Sequence, residues 1–186
     1  MKKKLLVLLA FTLVCTSVFA FDIMQYPSSV QAGNWLVNAG VGFGRYGSSN
    51  WNVRIPPLSA SAEYCLNVGP PISVGGMVTF IQYDWNADRV NSWYYSFIII
   101  AARANWHWNF PVNNLDFYTG LSMGYQYFTS TYTGTGYNLA ASYEWNYRGL
   151  YWGGQVGARY FFTQKVGAFA EFGYPTWLKA GLTIKF

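Results

Sequence analysis

The chain ends Trp177-Leu178-Lys179-Ala180-Gly181-Leu182-Thr183-Ile184-Lys185-Phe186. Leu178, Ala180, Leu182, Ile184 and Phe186 fall on one side of a period-two pattern, and Lys179, Gly181, Thr183 and Lys185 on the other. Successive side chains of a β-strand point to opposite faces, so this stretch reads as a strand with one apolar and one polar face. Working upstream, the alternation recurs in seven more segments: Val166 to Tyr174, Val156 to Phe162, Phe117 to Tyr125, Tyr94 to Trp108, Ile72 to Phe80, Leu58 to Leu66 and Trp35 to Phe43. Beyond the first twenty residues, no run of 18 consecutive apolar residues offers a transmembrane helix. The chain is all-β.

The charges decide which face points where. Glu63, Arg103, Asp116, Arg159, Glu171 and Lys179 all lie on the face shared with Gly, Ser and Asn. In a soluble barrel of the lipocalin kind that face would meet water. Against this, the opposite face is almost purely apolar over a length matching the ~25 Å band of a membrane barrel. It also ends in aromatic residues: Trp35, Tyr64, Trp106, Trp108, Phe117, Tyr160, Phe162 and Phe186 at one rim, and Phe43, Phe80, Tyr94, Tyr125 and Tyr174 at the other. Trp and Tyr favour the headgroup level because an apolar ring carries a polar tip. Hydrocarbon cannot hydrogen-bond an open sheet edge, so a spanning sheet must close on itself. The pattern predicts an eight-stranded antiparallel up-and-down transmembrane β-barrel. Eight strands leave a lumen just wide enough to be filled by side chains, and Leu36, Met77, Phe97, Ile99 and Phe161 supply apolar filling.

Composition agrees. Charged residues make up 10% of the 186, aromatic residues 21%, and there are 19 Gly; a soluble domain carries about 25% charge. Met1 to Ala20 reads as a secretory leader: Lys2 to Lys4, an apolar run Leu5 to Val14, then Val18 and Ala20 before the cut. The run is too short for a helix spanning ~30 Å of hydrocarbon, and Val14 before Cys15 does not fit a lipoprotein site. The predicted domain is 21–186, with Cys65 as its only cysteine and no intramolecular disulfide. Without the leader, nine basic residues face seven acidic ones, with no basic cluster for nucleic acid.

Short joins are expected at Val68 to Pro71, Asn109 to Asn114 and Gln164 to Val166, and long polar ones at Arg45 to Pro57, Ile81 to Trp93 and Tyr127 to Leu150. Outer-membrane barrels keep short turns in the periplasm and long loops outside, which places both termini in the periplasm. Only the last outer join, Pro175-Thr176, is short. Tyr132 to Trp145 offers an alternative in which the fifth and sixth strands continue above the membrane.

Two lumenal pairs are expected. A turn centred on Lys165 sets Arg159 opposite Glu171, and a turn through Phe110 to Asn113 sets His107 opposite Asp116. Buried charges require partners. A His–Asp pair invites a catalytic reading, but no serine is obviously placed to complete a triad, and the pair reads as structural. One His and one Cys are too few for zinc. Gly40 to Gly44 lacks the lysine and helix of a phosphate loop. No cofactor, metal ligand or catalytic residue is expected.

The terminal strand, apolar at Leu178, Ala180, Leu182, Ile184 and Phe186, resembles the C-terminal assembly signal of bacterial outer-membrane proteins. The whole mature chain is similar to small eight-stranded barrels of the OmpX and OmpA-transmembrane kind. The resemblance implies insertion by the barrel assembly machinery with Phe186 as a recognition residue, a bacterial outer-membrane location, and contact with outer-membrane lipids and lipopolysaccharide. The expected function is a non-enzymatic surface or structural barrel acting through Tyr-, Trp-, Ser- and Asn-bearing loops on a host or neighbouring-cell ligand, or in envelope integrity. Passage of small apolar compounds and lipid A modification are the alternatives.

Overall fold

The computed structural model describes residues 29–44, 52–68, 71–86, 92–108, 110, 112–133 and 143–186. The expected leader and the tips of the long joins lie outside the described residues. Eight strands close into one barrel in chain order: β1 (Trp35–Phe43), β2 (Asn52–Cys65), β3 (Ile72–Asn86), β4 (Ser92–Trp108), β5 (Leu115–Thr133), β6 (Tyr143–Phe161), β7 (Val166–Gly173) and β8 (Leu178–Lys185). Every neighbouring pair is antiparallel, and β1 pairs with β8 to remove the last free edge. No helix among the described residues is long and apolar enough to cross a membrane.

A walk across paired residues shows how the wall is sheared. From Arg148 it passes Tyr127, Ile98, Phe80, Leu58, Val41, Ala180 and Ala170, and returns to β6 at Ala158, ten residues from its start. Closing a sheet with such a stagger tilts the strands, typically by about 35–45°. The tilt lets side chains from strands far apart in sequence meet on the axis.

The two faces follow the alternation. Leu36, Met77, Ile81, Ile99, Tyr118, Tyr151 and Phe161 are buried in the lumen, while Leu121, Leu150, Trp152, Trp177 and Leu182 stand out from the wall, Trp152 78% exposed and Trp177 77%. Large apolar side chains are not left in water on this scale. Facing acyl chains, they need no cover.

Three boundaries differ from expectation. Of the two readings of the Tyr127 to Leu150 join, the alternative is the one found: β5 runs to Thr133 and β6 from Tyr143, so most of the stretch is strand. Each has 19 residues, about 60 Å of extended chain, far more than a tilted strand needs for the bilayer. Likewise β2 begins at Asn52 and β3 continues to Asn86. The third is the β6–β7 turn, which is not centred on Lys165. Phe162 N–H donates to Val166 O at 2.9 Å, and Thr163 Oγ1 accepts from the backbone N–H of Lys165 and Val166 at 3.2 and 2.9 Å. The ladder pair next to the turn is Phe161 with Gly167, so the turn is centred on Gln164 and the ladder slides by two residues.

Candidate functional site in the barrel lumen

The inward rows bring Glu63, Arg103, His107, Asp116, Arg159, Glu171 and Lys179 together on the axis, all of them buried. Glu63 is the hub. Its Oε1 accepts from Arg159 Nη2 at 2.8 Å and Asn38 Nδ2 at 3.2 Å, with Arg103 Nε at 3.4 Å. Its Oε2 accepts from Asn105 Nδ2 at 2.6 Å and Ser73 Oγ at 2.8 Å. Arg159 also donates through Nη1 to Asp116 Oδ2 at 2.8 Å and through Nε to Asn38 Oδ1 at 3.2 Å, and lies 4.0 Å over the Tyr118 ring. A second knot surrounds Glu171: Arg103 Nη2 donates to Oε2 at 2.7 Å, Tyr118 Oη to the same oxygen at 3.0 Å, and Lys179 Nζ pairs with Oε1. Three carboxylates thus meet Arg103, Arg159 and Lys179, and the hydroxyls and amides take up remaining hydrogen-bonding positions. Removing ions from water is costly, and only such dense pairing offsets it.

The pairing of Arg159 with Glu171 does not form. Arg159 stands opposite Phe169, and Glu171 opposite Gly157 and Lys179. The two-residue slide at the β6–β7 turn is the local cause. The narrow, tilted lumen is the general one, since it lets Arg159 of β6 reach Glu63 of β2 across the axis. His107 does meet Asp116, Nδ1 to Oδ1 at 2.7 Å, although its ladder partner is Tyr118 and the contact runs diagonally.

A serine is present after all. Ser73 Oγ lies 2.9 Å from His107 Nε2, so Ser73, His107 and Asp116 have the spacing of an acyl-transfer triad. Two observations weigh against that use. Ser73 has one hydroxyl proton, and Glu63 Oε2, which can only accept, competes for it with His107. All three side chains are at most 2% exposed, so no carbonyl can reach the hydroxyl. Ser73, Asn38, Asn105 and Tyr118 were legible as inward-facing, but nothing in their spacing marked them as ligands of the charges. Among the described residues, no group of three or more His, Cys, Asp or Glu is placed to hold a metal.

Toward the loop end the filling turns apolar: Met77, Ile99, Ala101 and Tyr151, then Ile81, Tyr83 and Phe97 with Tyr95 and Phe128 against them. A lumenal cavity bordered by Ser61, Met77, Arg103, Phe169, Glu171 and Lys179 measures about 10 Å³, room for one water at most. The larger hollows, about 780 and 510 Å³, lie on the wall between Trp106, Leu121, Trp152 and Phe172, within the apolar band.

A family model described as outer membrane protein beta-barrel domain matches residues 6–185. Among solved structures, the attachment invasion locus protein Ail of Yersinia pestis in complex with the heparin analogue sucrose octasulfate superposes with a TM-score of 0.57 at 10% identity, covering 84% of this chain and all of that one. A major outer membrane protein from Thermus thermophilus superposes with a TM-score of 0.56 at 16% identity, again covering 84% of this chain and all of that one. At these identities the likeness is one of fold. No curated protein matches the sequence at a significant level.

Proposed function

Since the chain belongs to the outer membrane protein beta-barrel domain family and is an eight-stranded barrel of the bacterial outer membrane, we propose that it works there as a sealed, non-enzymatic surface barrel. Its contribution is envelope integrity or adhesion through the loop-side end. The observation that carries this reading is the filling of the lumen among the described residues: an ion network in one half, aromatic and aliphatic side chains in the other, and a cavity of only about 10 Å³ beside Arg103, Glu171 and Lys179. Purified protein in planar bilayers is expected to give no conductance steps, and liposomes carrying it no faster uptake of small apolar solutes than empty ones. Either activity overturns the reading.

The partners follow from the outer surface. Arg54 lies 4.8 Å over the Tyr94 ring and Arg148 5.6 Å over the Tyr127 ring, on the outward rows at the loop-side edge of the apolar band. A guanidinium braced on an aromatic face there suits the phosphates of outer-leaflet lipid, lipopolysaccharide included. Trp35 and Phe186 exchange backbone hydrogen bonds at 3.1 and 2.9 Å at the end that bears the short turns, which supports both termini facing the periplasm. There the exposed Phe186 ends the strand that we assign to recognition by the barrel assembly machinery. Loops above β5 and β6 are the proposed contact with a host or neighbouring-cell ligand.

A further inference from the structure

The residues before β1 do not simply run up to the wall. Val30, on no strand, is 4% exposed and packs with Leu36, Cys65 and Phe161, lumenal residues of β1, β2 and β6. Such burial requires the segment to lie across the mouth of the lumen. Polar contacts tie it on three sides. Ser29 Oγ donates to Leu115 O at 2.6 Å at the start of β5, and Lys185 Nζ of β8 donates to Ser29 O at 2.6 Å. Toward β2, Gly33 N–H donates to Cys65 O and Cys65 N–H to Asn34 O, both at 2.9 Å. Gly33 has φ +89°, a left-handed conformation that glycine adopts without strain, and it turns the segment sharply into β1. Lys185 also stands 4.5 Å over the Phe161 ring, so the same ammonium holds the strap and caps the apolar cluster beneath it.

We propose that residues 29–34 form a stopper that closes the turn-side end of the lumen and shields the Glu63, His107, Asp116 and Arg159 network from water on that side. A tail that merely precedes a barrel has no reason to bury a valine or to bond with β2, β5 and β8. With the stopper seated, the lumen is shut at both ends by different means: rigid aromatic packing toward the loops, and a removable segment toward the turns.

Cys65 reports on it, being the only cysteine downstream of the leader and itself 4% exposed beneath Val30. Full-length mature protein in detergent is treated with a charged methanethiosulfonate, which forms a mixed disulfide with the thiol and releases methanesulfinate, and labelling is followed by mass. Native Cys65 is expected to react about a hundredfold more slowly than in urea, because labelling requires local opening. Val30→Asp, which puts a charge into the apolar cluster, is expected to raise the native rate about tenfold or more while heat-modifiable migration still shows a closed barrel. Native labelling as fast as in urea, or unchanged protection in a closed V30D barrel, overturns the proposal. Should V30D fail to close, Lys185→Met removes the tie from β8 and is judged by the same rates.

Discussion

Glu63 shows what one carboxylate can hold when it is kept from water. It faces Arg159 and Arg103 together, so its removal leaves two guanidinium groups short of a counter-charge. Glu63→Ala is expected to destabilise the barrel by about 3–5 kcal/mol, read as a lower temperature for the shift from folded to unfolded migration on a gel. Lys165→Ala, in the exposed β6–β7 turn, is expected to change stability by less than about 0.5 kcal/mol; equal shifts for the two would mean that the network carries no stability. That these charges face inward was legible, because each shares a row with Gly, Ser and Asn. Their partners were not. Strand alternation tells which way Arg159 points, but whether it meets Glu171 beside it or Glu63 across the axis depends on strand number, tilt and register together. Ser73 was hidden because its contact with His107 is diagonal within the β3–β4 ladder, where Ser73 stands opposite Asn105, and the register of that pair had to be known to see it.

At the scale of elements, eight strands and their order could be read directly, but the continuation of β5 and β6 only as an alternative, and that of β2 and β3 not at all. Alternation marks a strand only where one face sees lipid and the other a packed lumen. Above the bilayer both faces of β5 and β6 are free to be polar or aromatic, so Gln126 to Thr131 loses the pattern while the ladder continues: Tyr127 pairs with Arg148, Thr129 with Asn146, and Thr131 with Glu144. Turn register was hidden at the opposite end. Thr163 Oγ1 accepts two backbone N–H groups and so centres the turn on Gln164, one residue before the centre that period counting favours. Thr163→Ala is expected to cost about 1 kcal/mol, measured as a lower urea midpoint of the folded barrel. If that midpoint does not move, the hydroxyl is not what sets the turn.

For the molecule as a whole, everything rests on which face meets lipid. A nitroxide at Leu121, 73% exposed on the outer wall, is expected in a bilayer to be relaxed by oxygen and protected from a water-soluble nickel complex. The reverse accessibility would turn the barrel inside out. Orientation was open to reading because charge is so scarce on one face, whereas the sealing of the lumen was only half open to it. Apolar fillers such as Met77, Ile99 and Phe161 could be named in advance. The stopper at Ser29 to Asn34 could not, because a single buried valine outside any strand leaves no periodic trace.

The wall is also uneven in height. β4, β5 and β6 have 17, 19 and 19 residues, whereas β7, β8 and β1 have 8, 8 and 9. The molecule is cut obliquely like a quill, with a ridge standing clear of the membrane on one flank and a rim nearly level with the lipid on the other. A large molecule arriving from outside meets the ridge first. The same low flank contains the seam between first and last strands, so mechanical load on either terminus falls on the shortest ladders and spares the tall ones.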